Sequence, residues 1–244
     1  MPAPRVLALE SLPPQVWRGR ELARAQEKTL ATGHAPLDAQ LPGAGWPLGS
    51  LVELLQQEQQ RHVWQLVGPA LAQALRQGEP AVLVGAPYDP FGPALRAQGI
   101  APERLLCVQA EQPSARLWAC EQALRCADVA AVLGWLPRAR AEDLRRLHLC
   151  AQNTDKLLFV FRPLAAREQA SPARLRLQVQ GTDRLEVLIL KRRGPPLLQP
   201  LTLRSQPQRL SALLAARKSR RSLPAVELPP GASHVLDRTA SLAG

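Results

Sequence analysis

The apolar positions of this chain fall into short continuous runs separated by stretches with helical spacing, the pattern of strands alternating with helices. Residues 50–55 (SLVELL) form a compact apolar run that reads as a buried strand. Val63, Trp64, Val67, Ala70, Leu71, Ala74 and Leu75 then recur at three- and four-residue intervals, which predicts a helix. Residues 81–85 (AVLVG) predict a second strand, residues 93–98 a helix, and residues 105–109 a third strand. Residues 113–126 are helical in pattern, with Leu117, Trp118 and Leu124 among Ala and Cys. The apolar run at 128–136 (DVAAVLGWL) has the composition of a central parallel strand buried on both faces. Residues 140–153 predict a charged amphipathic helix, and 156–161 (KLLFVF) another buried strand.

Three further segments, 175–179, 185–190 and 197–203, follow without helices between them and predict an antiparallel edge meander. The fold class is therefore α/β: a mostly parallel sheet flanked by helices, with an antiparallel edge extension. Before the core, residues 15–28 predict a helix after Pro13-Pro14, with Val16, Leu22 and Ala25 as a thin apolar stripe. Residues 32–49 are rich in turn formers. Residues 205–244 lose periodicity and are rich in Ser, Pro and Arg, the composition of a flexible tail, with 208–217 as a short helix within it. The expected organisation is an N-terminal helical arm (1–30), a core (31–204) and a basic tail (205–244).

A chain of 244 residues with 46% apolar content can build one medium domain with extensions. It holds no run of about 18 uncharged apolar residues, so no transmembrane helix is expected. The first residues, MPAPRVLALESLPP, lack the basic and long apolar regions of a signal peptide. Cys107, Cys120, Cys126 and Cys150 show no CxxC spacing, which predicts buried structural thiols in a reduced cytoplasm. His34, His148 and His234 have no ligand spacing, so no metal is expected. The net charge of +11, with 27 Arg among 31 basic residues, favours association with nucleic acid or an acidic protein surface. That charge concentrates at Lys191, Arg192 and Arg193 and again at Arg217, Lys218, Arg220 and Arg221.

The strand at 50–55 and the helix from Val63 have the form of a phosphate-loop unit, in which GxxxxGK[ST] closes backbone N–H groups and a Lys on phosphate. Here the connection is QQEQQRH, with no Gly, Lys, Ser or Thr. Arg61 and His62 fall at the helix start, where they either meet an anion or face solvent. Glu53, within an apolar strand, is expected to pair with a neighbouring cation, and Asp89, before Pro90, to form a turn.

The order of these elements, with TGHAPLDAQLPGAGWPLGSLVELL at 32–55, LLCVQ at 105–109, KLLFVF at 156–161 and ARLRLQVQGTDRLEVLILKRRG at 173–194, resembles the RecA-like recombinase core over residues 30–204. Within that superfamily, VWRG at 16–19, the 32–55 stretch and the basic tail resemble the ImuA family of bacterial damage-induced mutagenesis proteins. The SulA division inhibitors share a degenerate version of the same core. Carried over residue by residue, the resemblance aligns the phosphate-loop Gly, Lys and hydroxyl with Arg61, His62 and Val63. The catalytic Glu aligns with Pro87, the metal-associated Asp with Gly134, and the polar sensor with Arg162 and Pro163. Val63 cannot hold Mg²⁺, and a neutral His replaces a permanent ammonium poorly. The resemblance thus implies a core without nucleotide hydrolysis and without a cofactor.

By the same resemblance, the protein is a scaffold of the SOS mutagenesis complex, binding ImuB and RecA and, through them, an error-prone DnaE-type polymerase. It would work in the cytoplasm, at the nucleoid during DNA damage. Val16, Trp17 and Leu22 either fold back on their own core or dock on a neighbouring subunit, since Trp favours interfaces. Arg217, Lys218, Arg220 and Arg221 are either solvated or a recognition segment, with ImuB or, weakly, DNA as its target. The alternative is a SulA-like inhibitor of the tubulin-like division protein.

Overall fold

The computed structural model describes residues 28–57, 63–152, 154–181, 184–194, 197 and 199–203. Residues 1–27 and 204–244, which hold most of the expected arm and all of the expected tail, lie outside these residues, and with them Val16, Trp17, Leu22, Arg217, Lys218, Arg220 and Arg221. The expected strands and helices of the core are present. β3 (Ser50–Gln56) leads to α2 (Val63–Ala74), β4 (Ala81–Val84), α3 (Gly92–Ala97) and β5 (Leu105–Val108). α4 (Pro113–Arg125), β6 (Ala131–Trp135), α5 (Ala141–Gln152) and β7 (Leu157–Pro163) follow. β8 (Leu175–Gln180), β9 (Leu185–Lys191) and β10 (Leu201–Leu203) close the core. In the turn-rich segment, β1 (Thr29–Leu30) and β2 (Trp46–Pro47) pair antiparallel around a short α1 (Ala35–Asp38).

Among the described residues, eight strands form one sheet in the order β10-β9-β8-β3-β7-β6-β4-β5. β3, β4, β5, β6 and β7 are parallel, which confirms the α/β class with a mostly parallel sheet. β8, β9 and β10 form the expected antiparallel meander. Its attachment differs from a plain edge extension. β8 joins β3 in parallel, so the chain crosses from β7 past β3 through residues 164–174 before the meander starts. The first core strand is thereby enclosed on both sides, and Leu51, Val52, Leu54 and Leu55 are fully buried.

Helices cover both faces, as a parallel sheet requires. α2 and α3 pack Leu66, Val67, Leu71 and Leu95 against Val52, Leu54, Leu83 and Phe159. α4 and α5 pack Leu117, Leu124, Leu144 and Leu147 against Leu51, Val132, Leu158 and Val160. Trp46 of β2 is fully buried on the α2 face and meets Phe159 edge-to-face, with ring centroids 5.2 Å apart. One expectation fails at the thiols. Cys120 is buried and Cys150 half-buried, but Cys107 and Cys126 are exposed. Cys107 lies on β5, the outermost strand, and Cys126 follows the last turn of α4, so neither has a second layer over it.

Candidate functional site

In open α/β sheets, ligands bind beyond the carboxyl ends of the parallel strands. Here that rim is built from the ends of β3, β4, β6 and β7 and the first turn of α2. Arg61 and His62 lie outside the described residues, and Val63 opens α2. Immediately after it, Trp64 lies against Trp135, the last residue of β6, at a centroid distance of 6.3 Å. Trp135 stacks on Phe161 of β7 at 4.4 Å and 28°. The register of the parallel pair β6–β7 sets Trp135 directly beside Phe161. Three aromatic rings therefore pack together between the first turn of α2 and the strand ends, against the core.

Gly134 is buried within β6, one residue before its end. A Cβ built there would stand 2.8 Å from Cys120 Sγ of α4, so the residue faces the helix layer and has no room for a carboxylate. Pro87 is exposed in the bend after β4, and Asp89 is exposed two residues later. Arg116 of α4 also lies near the strand ends, donating from Nε to the Ala110 carbonyl at 2.6 Å and from Nη1 to the Trp135 carbonyl at 3.3 Å. No periodicity or motif singles out Arg116, because its role depends on the loop after β5.

The turn-rich TGHAPLD segment has a structural role on this rim. Thr32 is fully buried, and its N–H donates to Asp38 Oδ1 at 2.9 Å. The His34 N–H donates to Thr32 Oγ1 at 3.0 Å, and His34 Nε2 donates to the Gln65 carbonyl in α2 at 3.1 Å. Between them Gly33 takes φ +82°, and a Cβ would stand 2.3 Å from Pro69 Cβ. Only glycine tolerates both that backbone and that approach. The motif thus clamps the start of α2 onto the core. Burial lowers the His34 pKa, against opposing pulls from the Gln65 and Leu66 carbonyls and Asp38.

Glu53 pairs with two cations, as its place among apolar residues led us to expect. Arg162 Nη1 donates to Glu53 Oε1 at 2.8 Å, and Arg176 Nε to Glu53 Oε2 at 2.6 Å. Arg162 lies within β7, not after it, and points to the α5 side of the sheet, so it is not a sensor at the strand ends. Its Nη2 donates to the Ala139 carbonyl at 2.7 Å and to Gln169 Oε1 at 2.6 Å. Arg176 donates to the carbonyls of Ala166 and Arg167 at 3.0 and 3.2 Å. The triad joins β7, β3 and β8 and ties down the crossover segment that runs between β7 and β8.

Among the described residues, no group of three or more His, Cys, Asp or Glu could hold a metal ion, and no helix is long and apolar enough to cross a membrane. A groove of about 690 Å³ between the C-terminal ends of α4 and α5, lined by Arg125, Leu149 and Lys156, lies at the amino ends of the strands, away from the rim described above.

No family model matches the chain. Proteins named cell division inhibitor SulA, from Yersinia pestis (strain Pestoides F) and Yersinia pseudotuberculosis (serotype O:1b, strain IP 31758), are each 28% identical to it over 140 residues. The match covers 57% of this chain and 82% of each relative.

Proposed function

We propose that this chain is a RecA-like accessory protein that works by binding and does not hydrolyse nucleotide, acting in damage-induced mutagenesis in the manner of the ImuA family. The observation that carries the loss of hydrolysis is the rim itself. Trp64, Trp135 and Phe161 pack together between the first turn of α2 and the strand ends, and a Cβ at Gly134 would meet Cys120 Sγ, which supports a rim without phosphate or metal chemistry. The QQEQQRH connection and Pro87 agree with that reading. The proposed partners are ImuB and RecA, with an error-prone DnaE-type polymerase reached through them, and the proposed compartment is the cytoplasm. The N-terminal residues Val16, Trp17 and Leu22 and the basic residues 217–221 are the proposed contact segments, with weak DNA binding through the tail.

The similarity to SulA favours a second reading, inhibition of the tubulin-like division protein. Against it as the sole function, 43% of the chain lies outside the match, the complement of the 57% covered. Co-purification separates the two. The full chain, a version ending at residue 204 and the Trp17→Ala variant are each tested with ImuB, RecA and the division protein. Tail-dependent capture of ImuB supports the first reading. Capture of the division protein alone, with filamentation on overexpression, replaces it with the second.

A further inference from the structure

At the opposite end of the sheet, the antiparallel β8–β9 pair brings the start of one strand beside the end of the other, with Arg176 in register with Lys191. Arg174, just before β8, therefore lies near Lys191, Arg192 and Arg193, where β9 ends. Arg174, Lys191 and Arg193 are exposed. Arg192 is half-buried and donates to the Gln40 carbonyl, and Lys191 Nζ donates to the Ser171 carbonyl at 2.9 Å. Strand pairing and these bonds hold Lys191 and Arg192 on a rigid frame.

Two observations show that their charge converges. Arg174, Arg192 and Arg193 line a crevice of about 20 Å³ walled by Leu41, Pro42 and Pro47. That is room for one water or one oxygen of an anion. His148 of α5 faces the same region: its pKa is lowered first by burial, then by Arg174 and Lys191.

We propose that the rim formed by Arg174, Lys191, Arg192 and Arg193 binds the phosphodiester backbone of nucleic acid. The planar guanidinium fork matches phosphate oxygens, and three of the four cations are Arg. Among the described residues, the crevice lining contains no aromatic side chain. It therefore lacks both the anchor typical of a protein hot spot and a platform for stacking bases. The contact is consequently made to the backbone without base stacking. This rim is built from residues other than 217–221 and does not depend on the partners proposed above.

The test is fluorescence anisotropy of the full chain with a labelled single-stranded oligonucleotide and its duplex, titrated from about 50 to 200 mM salt. The variants are Arg174→Gln/Arg193→Gln, the charge-keeping Arg174→Lys/Arg193→Lys, and a chain with Arg217, Lys218, Arg220 and Arg221 changed to Gln. Losing two phosphate contacts should lower the slope of log affinity against log salt by about 1.4 for the single strand and about 1.8 for the duplex. The Lys variant should keep most of the wild-type slope, and the tail variant should still lose affinity when the rim is also neutralised. A rim variant with the wild-type slope, or no binding by the full chain at the lowest salt, overturns the proposal. Competition by polyglutamate equal to that by the oligonucleotide also overturns it, in favour of an acidic protein surface.

Discussion

Arg162 and Glu53 form a buried ion pair across β7 and β3, with Nη1 2.8 Å from Oε1 and both side chains almost fully removed from water. Arg176 holds the other carboxylate oxygen at 2.6 Å. A buried pair of this kind contributes little against an apolar replacement, but breaking it strands a charge. Glu53→Ala leaves two guanidiniums without their shared anion and should cost about 3–5 kcal/mol of unfolding free energy. Arg162→Ala leaves Glu53 paired with Arg176 and should cost less. Urea unfolding of the two variants checks the order, and equal or reversed losses would contradict the shared-anion arrangement.

Gly134 gives a second prediction, through space rather than charge. Its missing side chain is matched by Cys120 Sγ, 2.8 Å from where a Cβ would be. Gly134→Ala should therefore cost about 1–3 kcal/mol as an overpacked core position. Gly134→Asp should cost more, because it adds a buried carboxylate to the same clash. Thermal unfolding of both variants reads the difference; a neutral Gly134→Asp would mean that the strand end is open.

Much of the core was legible because fully buried parallel strands have few polar positions to hide them. The runs at 50–55, 128–136 and 156–161 correspond to β3, β6 and β7, and the helical spacing from Val63 corresponds to α2. Glu53 was a readable signal too, since a carboxylate in such a run needs a buried cation. Its partners were not readable, because Arg162 and Arg176 reach it only once β8 pairs beside β3 in parallel. That pairing is set by the route of residues 164–174, which no periodicity encodes. The exposure of Cys107 was hidden for a related reason: an apolar run of four residues looks the same at an edge as at the centre. The Trp64–Trp135–Phe161 stack joins residues far apart in sequence, so single Trp positions could not announce it.

The pH dependence of stability should carry the mark of His148. Pairing of β3 with β8 begins at Val52, and the Leu51 N–H donates instead to His148 Nδ1 at 3.2 Å. Only the neutral ring can accept that bond. Burial, Arg174 and Lys191 lower its pKa below the ordinary 6.5. The unfolded chain then binds a proton at higher pH than the folded one, so stability rises with pH between the two values. The contribution is complete above about 6.5 and is lost as the pH falls through the lowered folded value. His34, also lowered by burial, acts in the same direction. Urea midpoints measured from about pH 7.5 to 5 should fall on the acid side, and less steeply in His148→Leu. An unchanged slope in that variant would remove His148 as a source.

The last prediction asks whether restoring the phosphate-loop residues restores a nucleotide site. Changing Arg61→Gly, His62→Lys and Val63→Thr would supply the flexible turn, the permanent cation and the Mg²⁺ hydroxyl. Trp64 would still lie against Trp135, Trp135 against Phe161, and Gly134 would still have no room for a carboxylate. A polyanion entering there must lose its hydration against indole surface, which costs far more than one ammonium returns. Equilibrium titration with a fluorescent ATP analogue and Mg²⁺ should therefore show no saturable binding in the wild-type chain or the triple variant. Saturable binding by the wild type that is lost on changing His62 alone would instead mean that the site still works. Binding gained only by the triple variant would mean that the loop, and not the aromatic filling, is what prevents it.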